Sequence, residues 1–298
     1  MKKIVRWLLV IAILFLVFVS AHLIYLSTLS AEEKYPVDTY FASAANKKAL
    51  IIVAHDDDIV GSTGTLAQFT SAGWKIRQLC FYQQAGIYRE KDARKIPFRK
   101  TALQQAAAIQ GLDGVDPVDF NFRKDTLVER PYMAMPYDSF AINYQIDSLR
   151  SIIANYIETY QPSVIFSLDD SIGGYGHPDH TLVSRLVLEY CREHQMDSGF
   201  SVKRIYQSVF PPSLAESIMK EMPAYQQAKK LHGINGMPLP DVEFDISDFG
   251  SQKKQAMLAY TTEQNSLKQI WPWYRYYPGW LYFRIFDREF YRVIELGR

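Results

Sequence analysis

Two short polar runs, far apart along the chain, combine side chains that bind metal ions and transfer protons. The first is HDDD over residues 55–58, and the second is GYGHPDH over residues 174–180. Imidazole nitrogens and carboxylate oxygens are ligands that catalytic zinc sites use in hydrolytic enzymes. These two runs are therefore the candidates for hydrolytic chemistry in this chain.

In the first run, His55 and Asp58 are three residues apart, so one imidazole nitrogen and one carboxylate oxygen can converge on one cation. Asp57 lies between them and can stay unligated. Adjacent carboxylates repel each other and resist desolvation, and a divalent cation offsets that cost. The alternative interpretation is an acidic helix N-terminus, with Asp58 or Ser62 as its cap.

In the second run, His177 and His180 are also three residues apart, with Asp179 between them. One neutral imidazole from this run would complete a site with one aspartate and two histidines. Three protein ligands with one position left for water is the pattern of catalytic zinc. The alternatives are a capping or core role for His177 and a first-turn helix anion for Asp179.

Both runs follow an apolar run that predicts a buried parallel strand, Ala49–Ala54 in one case and Ser163–Leu168 in the other. Strand and helix patterns alternate along the chain, which predicts an α/β, Rossmann-like fold with a mostly parallel sheet and helices on both faces. Polar loops after such strands lie at the carboxyl edge of the sheet, where ligands bind. The other predicted strands are Lys75–Tyr82, Val118–Phe122, Val202–Val209 and Glu289–Glu295, and the predicted helices are Phe98–Gln110, Ile142–Tyr160 and Thr181–His194.

The N-terminus predicts a membrane segment, because Lys2, Lys3 and Arg6 precede the unbroken apolar run Trp7–Val19. Basic residues on this side predict that the N-terminus stays inside and that the rest of the chain is extracytoplasmic. We interpret residues 1–29 as an uncleaved signal anchor, residues 30–45 as a juxtamembrane linker and residues 46–298 as one folded domain. A cleaved signal and a secreted protein are the alternative, since Leu29–Ala31 resembles a cleavage site.

Composition excludes some partners. A net charge of +1 over 298 residues gives no electrostatic case for binding nucleic acid. The chain has two cysteines, Cys80 and Cys191, which we interpret as buried and unpaired. The aromatic run Trp271–Trp280 has three interpretations: a platform for sugar rings, a contact with the membrane interface, or packing beneath the last strand.

The two runs together resemble the PIG-L/LmbE-like family of zinc-dependent N-acetylglucosaminyl de-N-acetylases, whose usual motifs are AHPDDE and HPDH. The sequence AHDDD over 54–58 resembles the first motif, with Asp56 in place of its proline and Ile59 in place of its glutamate. GGYGHPDH over 173–180 matches the second. The helix sequence at 99–112, with Ala102 where a glutamate is common, and the sequence at 254–264 resemble two further family segments.

The resemblance implies a role for each residue of the two motifs. His55, Asp58 and His180 would bind Zn²⁺, with another divalent cation as the alternative. Asp57 would be the general base and later the acid for the leaving amine. His177, oriented by Asp179, would stabilise the developing oxyanion, and Tyr175 would donate a second hydrogen bond to it.

These roles predict a hydrolase that removes the acetyl group from an N-acetylated amino sugar in a glycan or glycoconjugate. Its catalytic domain, residues 46–298, would be anchored to the membrane by the N-terminal helix. Two alternatives remain: a zinc amidase acting on another acyl amide, and an inactive homologue that binds metal and glycan. The inactive homologue is suggested by the departures from the family motif at Asp56 and Ile59 and by the aromatic C-terminal run.

Overall fold

A computed structural model describes residues 2–82, 96–124 and 130–297, which form an α/β fold around a seven-stranded sheet. The predicted fold class is confirmed. The strands are β1 Lys48–Ile52, β2 Lys75–Tyr82, β3 Gly114–Asp119, β4 Val164–Leu168, β5 Arg204–Ser208, β6 Val242–Asp245 and β7 Arg288–Glu295.

The strand order across the sheet is β3-β2-β1-β4-β5-β7-β6. The first five strands in this order run parallel, whereas β7 pairs antiparallel with both β5 and β6. β1 and β4 are neighbours at the centre of the sheet. The next strand after β1 in the chain, β2, lies on one side of this pair, and the next strand after β4, β5, lies on the other side. The loops that leave β1 and β4 therefore meet at the point where the strand order reverses.

Helices cover both faces of the sheet and join its strands. The helices are α1 Lys2–Ser27, α2 Tyr40–Ser43, α3 Thr63–Ser71, α4 Ile96–Gln110, α5 Phe140–Asn143, α6 Ile146–Tyr160, α7 Gly173–Gly176, α8 Pro178–His194, α9 Pro212–Met219, α10 Pro223–His232, α11 Gly250–Ala259, α12 Gln264–Ile270 and α13 Gly279–Tyr282. Short 3-10 turns cover Val60–Ser62, Tyr137–Ser139 and Ser247–Phe249.

Alternate residues of β1 enter two separate cores, because successive strand side chains point to opposite faces. Leu50 and Ile52 pack with α6 and α8 on one face. Ala49 and Ile51 pack on the other face, with residues from α3 and α4. Both sides of the central strand are thus buried, and this explains its continuous apolar sequence.

Two edge strands differ from the sequence prediction. The third strand is Gly114–Asp119 rather than Val118–Phe122, and it tolerates Pro117 because it lies at the edge of the sheet. Phe122 instead packs beyond the strand, against Phe81 and Tyr144. The other edge strand, Val242–Asp245, was not predicted because four residues carry too little pattern.

Helix α1 is apolar and exposed. Residues Lys3–Ser27 are long and apolar enough to cross a membrane, and a signal sequence would meet the same criteria. The predicted domain boundaries place a linker at residues 30–45, and this segment contacts the fold along its length. Arg288 donates to the carbonyls of Ala31 and Glu33. Further along, Phe41 enters the core beside α3.

Candidate metal centre and active site

The metal-binding candidates come together at the reversal point of the sheet. His55 Nδ1 lies 3.0 Å from His180 Nε2 and 3.3 Å from Asp58 Oδ1. Asp58 Oδ1 lies 3.0 Å from His180 Nε2. One nitrogen or oxygen atom of each residue therefore occupies one corner of a small triangle, although His180 is 125 residues from His55 in the sequence.

The size of this triangle fits a cation at its centre. Ligands about 2.0–2.1 Å from a tetrahedral zinc ion are about 3.3–3.4 Å from one another. The three separations above are close to that value. The donor set, two imidazoles and one carboxylate, is also one that zinc and other divalent cations accept.

Neighbouring groups fix which atom of each residue faces the triangle. The backbone N–H of His55 donates to Asp58 Oδ2, so Oδ1 is the oxygen that points to the imidazoles. His180 Nδ1 lies 2.9 Å from the carbonyl of Gly173, which leaves Nε2 for the triangle. Burial alone would raise the pKa of Asp58. The charges and hydrogen bonds of His180 and His55 outweigh this effect, so the pKa of Asp58 lies well below its usual range.

His177 lies beside this triangle. Its ring stacks on that of His180 with centroids 4.4 Å apart. One ring nitrogen from each of His55, His177 and His180 lies within 4.8 Å of the other two, so a three-histidine ligand set is also compatible with the geometry. His177 Nδ1 accepts the backbone N–H of Asp179, so a neutral ring carries its proton on Nε2. Burial lowers the pKa of His177 well below its usual value, which favours the neutral ring.

The Asp179 carboxylate connects this centre to residues from other elements. Its Oδ2 lies 3.5 Å from His55 Nε2, the ring nitrogen on the far side from the triangle. Its Oδ1 accepts hydrogen bonds from Arg123 Nε and from the Tyr144 hydroxyl, at 2.7 and 2.6 Å. A carboxylate behind a metal-binding histidine fixes the ring orientation and tautomer. Asp179 is therefore placed to orient His55 through its carboxylate and His177 through its backbone N–H.

Asp57 faces the cavity next to the triangle, and its carboxylate accepts a hydrogen bond from Arg99 Nη2. The same guanidinium donates to Oδ1 of Asp56, which is buried. Burial raises the pKa of Asp56 to about 6, although Arg99 opposes this. Arg99 therefore neutralises part of the negative charge of the acidic run. A metal ion is not the only group that can compensate this charge.

A cavity of about 670 Å³ opens above these residues. The polar part of its lining, called the floor here, is formed by His55, Asp57, Asp58, His177, Asp179 and His180. Tyr175 lines the cavity with its ring 5.3 Å from that of His180, and burial raises the pKa of its hydroxyl, which keeps it protonated. The apolar lining includes Val209, Phe210, Met219, Met222, Met237, Leu267, Ile270 and Trp271.

The loop after β4 needs glycine to bring His180 into place. Gly173 has φ of 55°, and a Cβ atom there would lie 2.5 Å from the Cβ of His180. Asp169, fully buried at the end of β4, accepts backbone N–H groups of Ile172 and Gly174. The carboxylate of Asp169 thus holds the loop that carries Tyr175 and the two histidines.

Three polar residues of this centre were not assigned roles from the sequence. Arg99 is the first residue of the segment 99–112 that resembles the family, and this position could have indicated a role for it. Arg123 and Tyr144 have no such signal, because they meet Asp179 from segments that are 56 and 35 residues away.

Comparison with known proteins supplies the family. Residues 50–191 match the family model described as PIG-L, GlcNAc-PI de-N-acetylase. The chain carries a PIG-L domain. The matched range begins within β1 and ends within α8, so it contains both polar runs and the triangle of His55, Asp58 and His180.

A curated relative of the PIG-L domain comes from Catenulispora acidiphila and is named 1D-myo-inositol 2-acetamido-2-deoxy-alpha-D-glucopyranoside deacetylase 1. It is 24% identical over 275 residues, which cover 80% of this chain and 81% of the relative.

Two solved structures share the fold. The A40926 pseudoaglycone deacetylase Dbv21 has a TM-score of 0.53 at 18% identity, covering 85% of this chain and 99% of its own. GalB, the 4-carboxy-2-hydroxymuconate hydratase from Pseudomonas putida KT2440, has a TM-score of 0.52 at 17% identity, covering 83% and 96%. Since one of these proteins is a hydratase, the fold alone does not determine the reaction.

Proposed function

We propose that this protein is a membrane-anchored, metal-dependent hydrolase that removes the acetyl group from an N-acetylated amino sugar. The observation that carries the proposal is the triangle of His55, Asp58 and His180 at the cavity floor, with Asp57 beside it. The PIG-L family match and the deacetylase name of the Catenulispora relative support the same reaction. Residues 1–29 would anchor the chain, and residues 46–298 would form an extracytoplasmic catalytic domain.

Zinc is the cation we assign, held by His55, Asp58 and His180. A bound zinc ion polarises an amide carbonyl and lowers the pKa of a coordinated water to about 7. Asp179 keeps His55 in the tautomer that presents Nδ1 to the ion, and the Gly173 carbonyl does the same for Nε2 of His180. The ligand geometry is thus set by the protein's own hydrogen bonds.

The remaining residues carry the proton transfers and stabilise charge. Asp57 takes the proton of the attacking water and delivers it to the amine nitrogen as the C–N bond breaks. His177 donates from Nε2 to the oxygen on which negative charge develops, and the protonated Tyr175 hydroxyl is a second donor. The products are acetate and the amino sugar in its ammonium form, because the second proton of the water also passes to the amine.

The apolar residues in the cavity lining give a reason to expect a conjugate rather than a free monosaccharide. The acetamido group would lie at the polar floor, and three methionines lie among the other lining residues. Methionine adapts to irregular apolar surfaces. An aglycone or lipid-like portion of the substrate would occupy this side of the cavity.

The test uses the full chain in detergent, with metal content by mass spectrometry and acetate release from N-acetylglucosamine conjugates. We expect about one zinc per chain and acetate release. Asp57→Asn should retain the metal and lose about 10²–10⁴-fold in rate, the usual contribution of a general base. His180→Ala should lose both metal and activity. Asp197→Asn, an exposed site paired with His194, is the matched control and should match the wild type.

Metal-free protein with no activity on any N-acetylated conjugate would contradict the proposal. Release of a longer acyl chain, identified by chromatography, would support an amidase with a different substrate. A metal-binding protein without catalysis is the second candidate, and the Arg99–Asp57 ion pair favours it because this pair occupies the proposed base. In that case Asp57→Asn would leave both glycan binding and phenotype unchanged.

A further inference from the structure

The aromatic run near the C-terminus divides into a buried and an exposed set. Trp271 and Tyr274 pack in a core with Leu26 of α1, and this packing was one of the interpretations from the sequence. Trp273 and Tyr276 are 51% and 79% exposed, and their rings are 5.8 Å apart. Packing therefore explains only part of the run, and three large aromatic rings, those of Trp273, Tyr276 and Trp280, remain on the surface.

One of these exposed rings, that of Trp273, lies against the end of α1. His22 of that helix meets Trp273 edge to face, with centroids 5.1 Å apart. The same imidazole stacks on Tyr277, and its Nδ1 forms a hydrogen bond with the tyrosine hydroxyl. The aromatic segment thus continues the surface of the apolar helix instead of facing away from it.

The position of His22 along α1 gives the depth of this contact. From Lys3 to His22 the helix rises about 29 Å at 1.5 Å per residue, and the hydrocarbon core of a bilayer is about 30 Å thick. With the basic N-terminal residues at one membrane surface, His22 lies at the boundary with the opposite headgroups. Trp273 lies beside it at the same level, where tryptophan and tyrosine are enriched.

Backbone conformation and charge support the same assignment. Trp273 has φ of 66°, a left-handed conformation that is uncommon for a bulky residue and that accumulates at functional positions. Arg275, which lies between Trp273 and Tyr276 in the sequence, is exposed as well. A guanidinium in that position matches the phosphates of lipid headgroups.

We propose that Trp273, Arg275 and Tyr276 insert into the headgroup layer of the bilayer that α1 crosses. The proposal rests on the membrane anchoring assigned above but needs neither metal nor catalysis. Ile270 and Trp271, which line the cavity, directly precede this segment. Contact with the bilayer therefore places one wall of the cavity at the membrane surface.

Fluorescence quenching by brominated lipids tests this contact in full-length protein reconstituted into vesicles. The protein for this experiment carries Trp7→Phe and Trp280→Phe. It then retains Trp273 and two buried tryptophans, Trp74 and Trp271. Subtracting the spectrum after a further Trp273→Phe isolates the emission of Trp273. Lipids brominated high on the acyl chain should reduce that emission about twofold, as expected for a ring in the interface.

Two controls make the outcome decisive. A variant with Trp273→Phe and Trp280→Phe keeps Trp7, and subtracting the spectrum of the variant that also carries Trp7→Phe isolates its emission. Trp7 is about 6 Å along α1 from Lys3, so bromines high on the acyl chain should quench it if α1 is inserted. A Met196→Trp substitution, made in the background that lacks Trp7, Trp273 and Trp280, adds an exposed ring just after the end of α8, and it should not be quenched. Quenched Trp7 with unquenched Trp273 would overturn the proposal and favour a glycan platform. Unquenched Trp7 would overturn it too, because α1 would not be inserted.

Discussion

Arg99 donates from Nε and Nη2 to the Asp56 carboxylate, which is only 1% exposed. Asp56 stands where the family motif has proline, so this carboxylate is an additional buried charge. Arg99 bonds to Oδ1 of Asp56, and the other carboxylate oxygen, Oδ2, has no hydrogen-bond partner among the described residues. The guanidinium is thus the main compensation for burying this group.

Arg99→Met should destabilise the protein by about 3 kcal/mol, because it leaves a buried carboxylate without its cation. Adding Asp56→Asn should restore part of the loss, since the charge is then absent as well. Thermal unfolding of the two single variants and the double variant measures the coupling. Arg150→Met breaks an exposed pair with Glu193 and serves as control, with an expected cost below about 1 kcal/mol. Additive effects at positions 56 and 99 would contradict the coupling.

Gly173→Ala should weaken metal binding about 10–100-fold, the range seen when groups behind a ligand are disturbed. The added methyl would meet the Cβ of His180 at 2.5 Å, so the imidazole must move. Gly199→Ala is a matched control, because Gly199 also has positive φ, 86°, and has nothing within 4 Å of an added Cβ. Zinc titration with a competing chelator measures both. Equal losses in the two variants would assign the effect to backbone strain.

Asp179→Asn should lower zinc affinity by about 10–100-fold while leaving the protein folded, because the His55 ring loses its anionic partner. The amide can still accept from Arg123 and Tyr144, but the buried Arg123 loses its counter-ion, so the thermal midpoint should also fall. The measurement is zinc affinity alongside the thermal midpoint. If the midpoint falls and zinc affinity holds, Asp179 has a structural role only.

Lys253→Met should lower the thermal midpoint by about 6–20 °C, from a loss of about 3–5 kcal/mol. Lys253 is buried against Glu289, whose carboxylate also accepts the backbone N–H groups of Gly64 and Thr65. Removing the cation leaves that carboxylate uncompensated beside the loop that carries His55 and Asp58.

Two variants complete the Lys253 experiment. Glu289→Gln combined with Lys253→Met should cost less than the sum of the two single changes. Lys220→Met removes an exposed lysine paired with Glu216 and should leave the midpoint almost unchanged. A midpoint for Lys253→Met equal to that of Lys220→Met would refute a stabilising role for the buried pair.

The sequence was sufficient for the fold class because strong apolar runs alternate with helical patterns, and for the location of the site because both polar runs follow central strands. It did not predict β6, since a four-residue antiparallel edge strand is specified by its partner β7 and not by its own sequence. The contacts of Arg123 and Tyr144 with Asp179 were equally inaccessible, because they depend on how separate loops fold together. Local patterns were enough to propose the metal ligands, whereas tertiary packing determines the groups that would orient them.

The hydrogen bonds from Arg288 to the carbonyls of Ala31 and Glu33 leave the segment after α1 without slack. With α1 in a bilayer, the height of the catalytic centre is then set by folding and not by the length of a tether. An enzyme held in this way would search a thin layer in two dimensions, and the proposed sugar substrates would be out of its reach where they lie deep in a surrounding polymer.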